Sequence, residues 1–196
     1  MKKITLLSTM IFACIFSMAQ TATTDPGVVI NGIKWATRNV DKPGTFAAKP
    51  EDPGMFYQWN NNMGWSFSDP LISSTGETEW TQYGSDAETW ETSNNVCPAG
   101  WRIPTNEELT SLANSGSEWT DNGRVFGSGN STVFLPVAGM RNNSSGALFN
   151  AGSFGYYWSS TVSGKNAYLL YFGNTVVTPG DVGRRTSGFS VRCVAK

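Results

Sequence analysis

The run "CPAGWRIPTNEELTSLAN" (97–114) carries a clear helix signal in a chain where helix is otherwise scarce. Thr105 is followed three residues later by Glu108, the spacing of a capping box in which each side chain satisfies the other residue's backbone N–H. Leu109 and Leu112 then fall on one helical face, and Ser115-Gly116 ends the run. Pro104 stiffens the entry. The spacing predicts a short helix over about 106–114 with its leucines on the core. The chain's 21 glycines and 9 prolines, most of them outside this run, together with asparagines cut the apolar runs into short pieces, so strand and loop must dominate.

"VVINGIKWATRNV" (28–40) places Asn31-Gly32 between two β-rich runs, the strongest short hairpin signal. Residues 42–54 read as loop, and "MFYQWN" (55–60) as a short strand or single turn. Residues 61–96 are polar but punctuated by Trp65, Trp80 and Trp90. A disordered linker lacks such rings, so a long irregular excursion pinned by tryptophans is expected. Strands are expected at "RVF" (124–126), "TVFLPVAGM" (132–140), "YYWSST", "NAYLLYF" and "FSVRCVA". No internal repeat is present.

Lys2-Lys3, an apolar run to Phe16 and Ser17-Met18-Ala19 read as a secretory signal peptide over 1–19. The rival reading is a loose lipobox at Ile11-Phe12-Ala13-Cys14, which would lipidate Cys14 and tether the protein to the outer membrane. Residues 20–27 form a polar leader. Residues 28–196 suit a single domain, secreted or displayed on the cell surface, and no other segment has the apolar length of a membrane helix. In an exported chain Cys97 and Cys193 most simply form one disulfide, stabilising by at most roughly 4–5 kcal/mol on chain-entropy grounds. The alternative is a reactive thiol pair, but there is no Cys-x-x-Cys and no histidine to activate a thiolate.

The absence of histidine removes His-based triads, His-type zinc sites and the commonest general base. Charge is uneven. Residues 20–121 hold 14 acids and 5 bases, and residues 122–196 hold 1 acid, Asp181, and 7 dispersed bases. The simplest account is attraction between two halves of one domain. A nucleic-acid partner would want a basic domain, and this one is acidic.

"CPAGWRIPTNEEL", "FLPVAGMR", "GYYWSST", "AYLLYF" and "GFSVRCV", in that order, with "GIKWATRNV" and "FYQW" before them, resemble the Fibrobacter succinogenes major paralogous domain over about 28–195. The resemblance implies an α+β, C-type-lectin-like fold: a small twisted antiparallel sheet, one or two short helices and long loops. It also implies that the last strand lies near the first, with Cys97–Cys193 joining the helix approach to that last strand.

Residues 141–195 further resemble the variable region of retroelement-diversified C-type-lectin-like proteins. Trp158, Ser159, Ser160, Leu170, Phe172, Gly188, Phe189, Val191, Arg192 and Cys193 match framework positions. Asn142, Asn143, Asn150, Phe154, Tyr156, Tyr168, Leu169, Tyr171 and Asn174 match the variable, ligand-facing ones, with Arg184 or Arg185 at the rim. The implied function is an exported module that binds a protein or glycan. A structural or assembly domain of a surface complex is the alternative. Period-2 alternation agrees in part. It turns Leu170 and Phe172 inward, with Trp158 as a core anchor, and Leu169 and Tyr171 outward. Tyr168 is in conflict, inside by alternation and outside by the family match.

No Glu-Pro-Asn, Gln-Pro-Asp or Trp-Asn-Asp triplet marks a calcium-dependent sugar site. Asp86, Glu88 and Glu91 read as a solvated loop face rather than an oxygen cage. "GWRIPTNEEL" also resembles a motif of formylglycine-generating enzymes, whose chemistry needs an activated cysteine pair. Here the cysteines read better as a staple, and Glu107-Glu108 as helix-start acids. No catalysis, metal or cofactor is expected. Trp35, Trp59, Trp101 and Trp158 read as core, whereas Trp65, Trp80, Trp90 and Trp119 sit in polar surroundings.

Overall fold

The computed structural model describes residues 23–196. The expected signal peptide and the Cys14 alternative lie outside the described residues. Strands β1 (Val28–Ile30) and β2 (Ile33–Asn39) form the expected hairpin, Ile30 opposite Ile33. Asn31 and Gly32 have φ of 51° and 80°, the left-handed pair that a two-residue turn matched to strand twist requires. The end of the leader is tied to β2, where Asp25 pairs with Arg38 at 3.0 Å and accepts from the Thr37 N–H.

The next pair, β3 (Phe56–Tyr57) and β4 (Gly64–Trp65), opens the long excursion. Its tryptophans do pin it. Trp65 and Trp90 are buried, and Trp80 packs on Trp65 at 5.1 Å while donating to the Asn143 carbonyl. After β5 (Trp101–Arg102) comes α1 (Asn106–Ala113), with both capping-box bonds formed and Leu109 and Leu112 buried. Strands β6 (Ser117–Thr120), β7 (Gly123–Ser128) and β8 (Ser131–Pro136) make a meander. The polar Ser-Glu-Trp-Thr of β6 gives no strand pattern, so it is legible only through its pairing with β7.

A small ribbon, β9 (Met140–Arg141) with β10 (Leu148–Phe149), leads to the central three-stranded sheet. That sheet is β11 (Gly155–Ser163), β12 (Asn166–Phe172) and β13 (Val177–Arg184) in order. The last strand, β14 (Arg192–Ala195), inserts between β2 and β5, giving the order β1-β2-β14-β5. First and last strands thus share a sheet. Cys97 and Cys193 are bonded, their Cα atoms 6.1 Å apart and 96 residues distant in sequence. Among the described residues the architecture is antiparallel sheet with one short α-helix, an α+β arrangement.

Two apolar cores flank the central sheet. On one side Leu109 and Leu112 of α1 meet Trp35, Phe126, Tyr157, Leu170 and Phe172. On the other, Trp158, Ala167 and Leu169 meet Trp59, Trp90, Phe189 and the disulfide. This corrects one expectation. Leu169 does face away from Leu170, but it is only 2 % exposed, because that side is a second core rather than solvent. Alternation distinguishes two faces; it does not say which one is wet.

The bases of residues 122–196 do not chiefly meet acids. Arg124, Arg141, Arg185 and Arg192 are buried, and among the described residues Arg141–Asp69 (2.8 Å) is the one ion pair between the acidic and basic parts. Their donors go mainly to backbone carbonyls. Arg141 binds those of Ser66, Ser68 and Gly146, and so ties the excursion to the loop after β9. A planar guanidinium with five donors suits such clamping.

Candidate functional site

Tyr156 on β11 lies directly opposite Tyr171 on β12, so the two rings emerge on one side of the central sheet, at 5.2 Å. Phe154 stacks on the outer side of Tyr171 at 5.3 Å and 17°. On the inner side Tyr156 stacks on Phe189 (5.3 Å), which contacts Trp158 at 4.2 Å. The five rings form a ladder from the half-buried Phe154, Tyr171 and Tyr156 to the buried Phe189 and Trp158. Gly173 makes room for its outer end, since a Cβ there would lie 2.6 Å from the Phe154 ring.

Asn150 shapes the approach. Its backbone is left-handed (φ 56°), which Asn tolerates better than most residues, and its carbonyl accepts the N–H groups of Ser153 and Phe154. Its side-chain amide donates to the Tyr156 hydroxyl at 2.7 Å. Asp181 of β13 sits opposite Leu169, on the same side of the sheet as the ladder. Burial, then the neighbouring Tyr171 and Asp181 charges, raise the Tyr156 phenol against the opposing Asn150 bond; burial and Asp181 raise Tyr171. Both phenols therefore remain neutral at physiological pH, each able to donate and accept. Rigid amphipathic rings with fixed hydroxyls offer contact area at small entropic cost.

Of the residues expected on a ligand face, Asn150, Phe154, Tyr156 and Tyr171 come together. The others do not join them. Leu169 is core. Asn142 caps its own loop, its carboxamide oxygen accepting from the N–H groups of Ser144 and Ser145, and Asn143 receives the Trp80 indole. Tyr168 shares Leu170's side of the sheet, as alternation requires, but it is half-buried across from the exposed Val182 rather than enclosed in the core. Asn174 is exposed, and its carbonyl holds Arg124.

Arg184 is exposed at the end of β13, in a cleft of its own beside Lys165. Its neighbour Arg185 is not a rim residue. It is 6 % exposed, stacks on Trp59 at 4.4 Å and donates to the carbonyls of Ser85, Ala87, Gly164 and Asn166.

Asp181 and Phe189 escaped the reading of the sequence as parts of this surface. "VTPGDV" contains Pro179-Gly180 and gives no strand pattern, yet β13 continues through it, shifting register between Leu169 and Leu170 of its partner. The bulge accommodates Pro179-Gly180 and returns Asp181 to the ladder side. Asp86, Glu88 and Glu91 contribute to no group of three metal-ligating side chains among the described residues.

No curated protein and no solved structure matches the chain. The model of the Fibrobacter succinogenes major domain matches residues 28–195, nearly the whole described chain, and the protein belongs to that family.

Proposed function

We propose that the protein is an exported, non-enzymatic, calcium-independent binding module that captures a protein or glycan through the Phe154–Tyr171–Tyr156 face. The observation that carries this reading is the ladder itself. Three half-buried rings are held in register by a core ring beneath and an asparagine at their edge. Clustered Tyr and Trp side chains of this kind dominate binding surfaces.

The C-type-lectin-like assignment draws support from the pairing of β2 with β14 and from the disulfide beside them. Export is supported by the 1–19 segment and by that same disulfide. Because the two cysteines bond each other, the staple reading is favoured over formylglycine-type chemistry.

Retroelement diversification of 141–195 is part of the proposal. Of the framework positions, Trp158, Ser159, Leu170, Phe172, Gly188, Phe189, Val191, Arg192 and Cys193 are buried and Ser160 is half-buried; of the variable ones, Asn150, Phe154, Tyr156 and Tyr171 reach the surface and Leu169 does not. A reverse-transcriptase gene with a template repeat matching the codons of 141–195 is expected near the gene; a completely sequenced locus without them refutes diversification.

The binding reading is tested on arrays of cell-surface proteins and glycans, comparing the wild type with Phe154→Ser/Tyr171→Ser. Loss of the captured ligand with a melting temperature within a few degrees of wild type is expected. An unchanged capture profile refutes the face.

A further inference from the structure

At the far end of the central sheet, the β11–β12 turn, the end of β13 and the loop at 84–86 enclose a cleft of about 390 Å³. Lys165 and Arg184 line it, both exposed, and neither has a carboxylate within 4.0 Å among the described residues. The buried Arg185 forms its inner wall. Four carbonyls take its N–H groups, and no carboxylate neutralises it among the described residues. Two exposed positive charges thus line the cleft with a third buried behind them, against the single lining acid Asp86, on a chain whose net charge is −1. A concave wall concentrates such a field.

The remaining lining is polar. Asn166 and Thr186 make no side-chain hydrogen bond to the rest of the described protein, and Asp86 offers an acceptor. Cations for an acid group, an amide and hydroxyl for hydrogen bonding, and a carboxylate to accept O–H donors are the complement of a sugar that carries both hydroxyls and an anionic substituent. The volume suits a small ligand rather than a folded partner. We propose that this cleft binds an acidic saccharide unit, its anionic group held by Lys165 and Arg184 and its hydroxyls by Asp86, Asn166 and Thr186. The site stands apart from the aromatic face and does not depend on it.

The test is isothermal titration of the oxidised protein with digalacturonate, a disulfated disaccharide, neutral cellobiose and a tetraglutamate peptide. At least one acidic sugar is expected to bind in the millimolar range or tighter and to weaken as salt is raised, with cellobiose much weaker. The stronger of the two acidic sugars identifies carboxylate or sulfate as the preferred group. Lys165→Gln/Arg184→Gln is expected to weaken that binding by about tenfold or more. Phe154→Ser/Tyr171→Ser is expected to leave it unchanged, which separates this site from the aromatic face. The proposal is overturned if neither acidic sugar binds, if cellobiose binds equally well, if the Gln pair binds like wild type, or if tetraglutamate is preferred.

Discussion

Replacing Arg185 with leucine removes the clamp that fastens the 85–87 segment to the β11–β12 turn. The side chain donates to four carbonyls at 2.7–3.2 Å. Gly164 is exposed, so its carbonyl regains water, whereas Ser85, Ala87 and Asn166 are half-buried. A buried group left without its partner costs about 1–3 kcal/mol. Partial hydration of those three carbonyls reduces the sum, as does relief of the guanidinium's own desolvation. The net loss is about 2–4 kcal/mol. At about 2–4 °C per kcal/mol for a domain of this size, the melting temperature falls by about 4–16 °C. Calorimetry reads the shift, and hydrogen exchange should place the lost protection at 85–91 and 163–167. Arg185→Lys recovers less than half, because an ammonium offers three donors from one point rather than a planar fork. A fall below about 2 °C, or full recovery by lysine, refutes the clamp.

Three further outcomes follow from the same structure. Removing the disulfide as Cys97→Ala/Cys193→Ala is expected to destabilise by at most about 5 kcal/mol, read by denaturant unfolding of wild type and variant. Leu169→Ala is expected to cost about 2–5 kcal/mol, as a cavity in a packed core does, whereas an exposed Leu169 would cost almost nothing. Burial pulls the Glu108 carboxyl upward, but the Arg102 guanidinium and the Thr105 N–H outweigh it and hold it below its ordinary value. Its stabilisation is therefore present above the unfolded value of 4.5 and is lost as pH falls below it. Glu108→Gln should flatten that acid limb of stability against pH, and an unaltered limb refutes the assignment.

Local signals were legible where local chemistry decides. Asn31-Gly32 needs only its own left-handed backbone, and Thr105–Glu108 only its own cap, so hairpin and helix stand where the sequence predicts them. Strand β13 was hidden because Thr-Pro-Gly-Asp is turn chemistry that a bulge absorbs. Leu169 was misplaced because its cover, Trp59 and Trp90 in the same core, comes from chain about eighty and more residues away. Arg184 and Arg185 are adjacent and chemically alike, yet one is exposed at the end of β13 and the other, just past it, is buried against Trp59 and four carbonyls from distant chain, a distinction no local pattern carries. The family match grouped nine candidate ligand positions; the fold assembles Asn150, Phe154, Tyr156 and Tyr171 from them, on β11, β12 and the turn before β11, and adds Asp181 and Phe189 from farther along the chain.

The proposed seat of the ligand is this ring ladder. Its most direct test is hydroxyl-radical footprinting of the protein alone and in complex with the partner captured by the wild type. Phe154, Tyr156 and Tyr171 are expected to react in the free protein and to be shielded in the complex, while Tyr168 and Tyr83 are unaffected. Shielding of Tyr168 or Tyr83 with Phe154, Tyr156 and Tyr171 still reactive would contradict this placement.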